Sequence, residues 1–217
     1  MSERFGHQGA VVLKIWGRLN SSNVQKVVWM ADELGLAYER IDAGMAFGLN
    51  TTDAYKAMNP MGLVPVIDDD GFVLWESNAI LRYLAAKHPS AGLMPSDLTS
   101  AARADQWTDW MCGAWYPAFG PAFMGLIRTP EAKRDMAAIE ASVVKSDEML
   151  AMLEARLASA PYLAGAEFSY ADIAVGVFVN RWFKMGVGRT SYPAIAAWYQ
   201  RLKSRPGSAQ VFSIPVT

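Results

Sequence analysis

Cysteine and histidine are nearly missing from this chain of 217 residues, and their scarcity removes several chemistries at once. The lone Cys112 has no partner for an intramolecular disulfide and no CxxC neighbour for dithiol exchange. It reads instead as a small buried apolar residue. His7 and His88 lie far apart, neither has metal-ligand spacing, and no metal is expected. With no GxSxG and no suitable histidine, a serine-hydrolase triad has no support either. Charge is also in short supply on either side: the net value is -1, which argues against nucleic acid or an acidic membrane surface as a partner. No apolar run approaches the roughly 20 residues of a membrane span. The opening MSERFGHQGA lacks the apolar core of a secretory signal, so the cytoplasm is the expected compartment.

What the chain does have is apolar bulk. Hydrophobic residues make up 52%, with eight tryptophans and twelve methionines, enough for a sizeable core and for an adaptable apolar pocket. Its first half alternates strand and helix patterns. Val11 to Trp16 is short, β-branched and closed by Gly17, as a buried strand should be. Val24, Val27, Val28, Ala31 and Leu34 recur at helical spacing before Gly35. Tyr38 to Asp42 reads as a strand, and Thr51 to Met58 as a short helix stopped by Asn59-Pro60. Val64 to Ile67 and Phe72 to Trp75 flank the turn Asp69-Asp70-Gly71 and form a hairpin. Ser77 to His88 is a helix. The order is βαβαββα, with the first two strands joined by a crossover.

Beyond this point strand signals vanish. The expected domains are 1–88, a linker at 89–98 rich in Pro, Gly and Ser, and an all-helical 99–217. Ser100 to Ile127 is a long helical pattern interrupted by Gly113, Pro117, Gly120 and Pro121. Thr129-Pro130 supplies the next N-cap and first-turn proline, and Ile139, Val143, Leu150, Leu153 and Leu157 mark that helix's buried face. Helices over Ser169 to Phe183 and Pro193 to Ser204 complete the α+β chain.

Four local features carry the chemistry. Asn20-Ser21-Ser22-Asn23 precedes the first helix, whose free N–H groups and dipole favour a negative charge. A hydroxyl there either caps the helix or donates to a thiolate, and such a bond lowers a thiol's pKa. With no suitable cysteine in the chain, the thiol belongs to a cofactor. Leu63-Val64-Pro65-Val66 holds a proline within a strand pattern, which marks a sheet edge or a cis bond that turns the Val64 amide and carbonyl outward to pair with a peptide. Glu76 and Ser77 open the third helix, either as caps or as receptors for an ammonium and a carboxylate. Ser169-Tyr170-Ala171-Asp172 has capping-box spacing with Asp at the third position, a folding signal.

Together these residues resemble the glutathione transferase family. The resemblance runs from about Val11 to the C-terminus, through SSNVQKV, NPMGLVPVI, WESNAILRYLA and FSYADIAV in that order. It is nearest to bacterial members of the theta- and zeta-like serine type, and AGMAFGLNTTDAYKAMNPMGLVP with RPGSAQVFSIPV resembles a subgroup that acts on haloacids such as bromoacetate. The resemblance implies a thioredoxin-like first domain that binds glutathione as co-substrate, a helical second domain for the electrophile, and a homodimer. Ser21 takes the catalytic position, with Ser22 and Asn23 as competitors one and two places along. Val64 pairs with the cysteinyl backbone of glutathione with Pro65 cis, while Glu76 and Ser77 hold its γ-glutamyl end. One departure concerns the position before Val64, where many relatives have lysine and this chain has Leu63. The glycine carboxylate then needs another partner, and Phe47, Gly48 and Asn50 in the facing loop carry no charge.

For the electrophile, Arg18 beside the serine loop and Arg128 at the cleft mouth suit a carboxylate, and both also read as solvated surface residues. Trp107, Trp110, Met111, Trp115, Phe119 and Phe123 line a helix face that looks toward the cleft, a mixture of core and substrate wall, with Trp115 and Phe119 the residues chosen for the pocket. The expected function is thiol activation for attack on a small electrophile. A non-enzymatic carrier or interaction module on the same fold is the alternative, and isomerisation or peroxide reduction would use the same thiolate.

Overall fold

The computed structural model describes residues 12–188 and 190–217. Strand β1 spans Leu13–Trp16, helix α1 Ser22–Glu33, strand β2 Tyr38–Ile41 and helix α2 Asp53–Met58. Strands β3 (Val66–Asp69) and β4 (Phe72–Trp75) and helix α3 (Ser77–Lys87) come next, in the expected βαβαββα order. Val11, expected to begin the first strand, lies outside the described residues. The strands form one sheet in the order β2-β1-β3-β4, with β1 parallel to β2 and the other pairs antiparallel. Asp69 pairs with Phe72 across a two-residue turn in which Asp70 and Gly71 both have positive φ, as a type I′ turn requires. Pro65 is not at an edge. It sits just before β3, a central strand, through a cis Val64–Pro65 bond.

The helical part starts with α4 (Leu98–Trp110), capped by Asp97, whose carboxylate accepts the Ser100 N–H at 2.9 Å. Gly113, Pro117 and Pro121 do not break the helical run. The chain stays helical through a π-helical segment Met111–Trp115, α5 (Tyr116–Phe123) and a second π-helical segment Met124–Arg128. A wider turn relieves the clash between the Pro117 ring and the carbonyl four residues back. Thr129-Pro130 does not cap the next helix, contrary to expectation. The Thr129 hydroxyl donates to the Met124 carbonyl at 3.0 Å, closing the preceding segment. A single 3-10 turn, Glu131–Lys133, intervenes, and Asp135 caps α6 (Met136–Ser159) by accepting the Ala138 N–H. Helices α7 (Tyr170–Met185), α8 (Pro193–Lys203) and α9 (Ala209–Ser213) complete the chain. No described helix is long and apolar enough to cross a membrane.

Helix α1 is the hub. Every residue from Val24 to Ala31 is buried, because α3 covers one face, α7 another, and the turn Pro206–Ser208 a third. Trp29 is fully buried and meets Phe212 edge-on with centroids 5.3 Å apart. Close packing needs glycine at two points. A Cβ at Gly176 would stand 2.6 Å from Leu202 and 3.3 Å from Trp29, and one at Gly207 only 2.7 Å from the Glu33 backbone nitrogen. The C-terminal end of α1 is clamped as well: the Glu33 carboxylate accepts from Arg205 Nε at 2.8 Å and from Trp29 Nε1 at 3.1 Å.

The sequence signal at Ser169 marks the start of α7. Asp172 is fully buried and its carboxylate accepts four hydrogen bonds: the Leu163 N–H (3.0 Å), the Ser169 N–H (2.9 Å), the Ser169 hydroxyl (3.1 Å) and Trp198 Nε1 (2.9 Å). One side chain therefore joins the 163 loop, α7 and α8. Replacing it orphans several buried donors, each costing about 1–3 kcal/mol. Asp172→Ala is expected to destabilise the chain by about 3 kcal/mol or more in urea unfolding, and a loss under about 1 kcal/mol would contradict this account.

Candidate active site

The cleft begins where α1 begins. Ser21 is the N-cap residue with extended backbone (φ -82°, ψ 127°), and its carbonyl accepts the Gln25 N–H at 2.9 Å. Its side chain makes no capping hydrogen bond, so the hydroxyl is left to the cleft. Ser22 is the first helical residue, and both serines line a cavity of about 830 Å³ together with Asn20 and Asn23. The Asn23 Oδ1 accepts from the Ser77 hydroxyl at 3.2 Å. Ser21 thus combines a free hydroxyl with the positive end of a buried helix.

The opposite wall holds Leu63 and Val64. The Leu63 carbonyl is pinned by Tyr55 Oη and Asn59 Nδ2, each at 2.8 Å, which fixes the approach to the cis bond. Val64 makes no backbone hydrogen bond among the described residues, so its amide and carbonyl remain open for an added strand. Leu63 is exposed.

Glu76 caps α3 with φ 72°, a left-handed conformation that a glutamate adopts only when its surroundings demand it. Glu76 and Ser77 do not line the cavity. Ser77 is buried and connects to it through Asn23. Beneath lies Lys26, 1% exposed, donating to Asn78 Oδ1 at 3.0 Å and Ser77 Oγ at 3.4 Å and standing 5.0 Å from the Phe178 ring. Burial pushes its ammonium pKa down to about 8, against the opposing pull of Cys112 and Glu76. Asn78 also reaches Cys112 Sγ at 2.9 Å. Cys112 itself is exposed, not buried as its residue type suggested, because the π-helical segment turns it outward.

The electrophile side differs from expectation. Trp115 and Phe119 are each 1% exposed and belong to the core, where Trp115 packs on Trp110 and Phe119 on Trp182. The π-helical turn advances the chain by more residues than an α turn, which rotates the expected pocket face inward. Tyr116, Phe123 and Phe178 take the wall instead. Arg18 and Arg128 line the cavity as expected, and a third arginine, Arg181 on α7, joins them. Arg181 is 3% exposed and donates to the Asn20 carbonyl at 2.5 Å. Burial, with Arg128 and Arg18 nearby, pulls its pKa down to about 10. Sequence reasoning missed Arg181, Tyr116, Phe178 and Lys26, and named Phe123 in the aromatic stripe without choosing it for the pocket. The available signal was a charge inside an apolar helical run: Arg181 within IAVGVFVNRWF, and Lys26 between Val24 and Val27.

Residues 11–86 match the glutathione S-transferase N-terminal domain and residues 136–201 the glutathione S-transferase C-terminal domain. The chain belongs to the glutathione S-transferase family. Glutathione S-transferase GstB of Escherichia coli K12 is 43% identical over 208 residues, covering 95% of this chain and all of that one. The theta class glutathione S-transferase of the citrus canker pathogen Xanthomonas axonopodis pv. citri, solved with glutathione bound, superposes with a TM-score of 0.91 at 45% identity, over 95% of this chain and 100% of that one. Glutathione S-transferase 3 of Zea mays is 31% identical, with 94% of this chain and 95% of that one covered. This chain is a glutathione transferase with glutathione as its co-substrate. Ser21, Val64, Tyr116 and Phe178 line one cavity.

The buried Lys26 ties α1 to α3 under the thiol cradle and makes a pH signature. Its folded pKa lies near 8 and its ordinary value is 10.5, so between those values the unfolded chain binds more protons and stability rises with pH. Comparing urea midpoints of wild type and Lys26→Met across this window should show a rise of up to about 3 kcal/mol in wild type alone. Parallel pH profiles would remove the titration from Lys26.

Proposed function

We propose that this glutathione transferase activates the glutathione thiol at Ser21 for attack on a small halogenated acid such as bromoacetate. The observation that carries the reading is the Ser21 hydroxyl, unused in capping, at the N-terminus of a buried helix and in one cavity with Val64, Arg18 and Arg128. Glutathione extends along Val64, its cysteinyl backbone pairing with the open amide and carbonyl. Its γ-glutamyl ammonium meets Glu76, and its α-carboxylate meets Ser77 and the N-terminus of α3. Ser21 donates a hydrogen bond to the sulfur, which with the α1 N-terminus favours thiolate over thiol; the proton leaves to solvent. The sulfur attacks the carbon bearing the halogen, the S–C bond forms as the carbon–halogen bond breaks, and halide departs with the bonding pair. The chain contributes orientation and charge stabilisation. Arg18 and Arg128 orient the acid's carboxylate. Ser22 and Asn23 are the alternative donors to the sulfur, one and two places along the loop.

The reading extends to a division into a glutathione domain over 1–88, a linker over 89–98 and an electrophile domain over 99–217, to a homodimer, and to a cytoplasmic location. Losing one hydrogen bond to a charged sulfur costs about 1.5–3 kcal/mol, roughly ten- to a hundredfold in rate. Ser21→Ala should lower kcat/KM for glutathione with bromoacetate by that factor and leave the thermal midpoint nearly unchanged. An unchanged rate, with a drop in Ser22→Ala or Asn23→Ala, would move the thiolate contact along the loop.

A further inference from the structure

The cavity holds more positive charge than a thiolate needs. Arg18, Arg128 and Arg181 all line it, no carboxylate does, and none of the three makes an ion pair among the described residues. Arg181 is the unusual member. It is almost wholly buried, and among the described residues only the Asn20 carbonyl accepts from it. Its Nε is buried without a partner, as is that of Arg18. Burying an uncompensated guanidinium is costly, and placing two more beside it costs more. The compensation inside the protein is weak. The Phe123 ring faces Arg181 at 5.1 Å and Arg128 at 5.8 Å, and Arg128 otherwise touches only Met45 Sδ at 3.6 Å. Fork-shaped donors with open N–H groups around one space match a planar oxyanion.

We infer that Arg181, with Arg128 and Arg18, forms a carboxylate receptor in the electrophile half of the cleft, and that the receptor selects electrophiles pairing a carboxylate with an apolar, preferably aromatic, body. Arg181 and Arg128 come from the helical part that also supplies the apolar wall, Tyr116, Phe123 and Phe178, which places anion and apolar body together on the side facing Ser21. The aromatic wall of this cavity of about 830 Å³ suits an apolar body beside the arginines. The suppressed basicity of Arg181 agrees, since an arriving anion would relieve the crowding of cations. The receptor rests on the transferase reading only for what the anion is attached to.

Two measurements test it. The first is calorimetric titration of wild type with phenylacetate and with phenylacetamide, in the presence of saturating S-methylglutathione. Phenylacetate should bind at least tenfold more tightly. Equal affinities would overturn the inference. So would displacement of phenylacetate by S-methylglutathione, which would give the arginines to glutathione's own carboxylate. The second is turnover of 4-(bromomethyl)benzoate against its methyl ester, each corrected for the uncatalysed reaction. The wild-type preference for the acid in kcat/KM should be tenfold or more, should fall to within about twofold in Arg181→Gln, and should return in part in Arg181→Lys. A preference that survives Arg181→Gln would remove Arg181 from the receptor. Should Arg181→Gln fail to fold, the titration of wild type decides alone. Phenylacetate binding without turnover of any electrophile would sink the transferase reading and leave the receptor standing.

Discussion

The burial of α1 on all sides is the constraint on which the rest of the structure depends. Val24, Val27, Val28, Trp29 and Met30 are all fully buried, and each is worth roughly 1.5–3 kcal/mol relative to exposure. The helix is held at its C-terminal end by Arg205 and the close approach of Gly207, and along its length by α3 and α7. Only the N-terminal end faces open space. A helix so placed presents its unpaired N–H groups and Ser21 in a fixed direction, and an anion bound there gains a field that no mobile loop could hold steady.

The same helix unites the two structural parts. Trp29 reaches Phe168 and Phe212, Lys26 reaches Ser77 and Asn78 of α3 and the Phe178 ring of α7, and Glu33 reaches Arg205. Thiol cradle and electrophile wall are therefore parts of one packed body. A shift of α7 would move Arg181, and through its bond to the Asn20 carbonyl it would disturb the serine loop. Asp172 guards against such a shift by joining the start of α7 to α8 and the 163 loop.

The cleft's electrostatics arise from this packing. Positive charge gathers there from three sources: the N-terminus of α1, the arginines, and Lys26 underneath. Negative charge is left for ligands to supply, apart from Glu76 at the start of α3. Glutathione brings a thiolate and two carboxylates to such a place.

Local patterns in the chain determined most of the elements and singled out the segments proposed for the thiol site. Apolar spacing marks α1 and α6, Asp70-Gly71 marks the hairpin, Ser169 with Asp172 marks α7, and the serine loop, Val64-Pro65 and Glu76-Ser77 stand out because caps, cis bonds and strand ends are written in neighbouring residues. What lines the cleft beside the serine loop, only the tertiary structure decided. The Asn23 amide oxygen meets the hydroxyl of Ser77, 54 residues away. The π-helical turns around Met111–Trp115 turn Trp115 and Phe119 inward and Cys112 outward, a phase change that a constant helical period does not contain. Arg18, Arg128 and Arg181 are far apart in sequence and line one cavity only in the folded chain. Periodicity records which face of an element is buried, but it holds no record of which distant faces will meet.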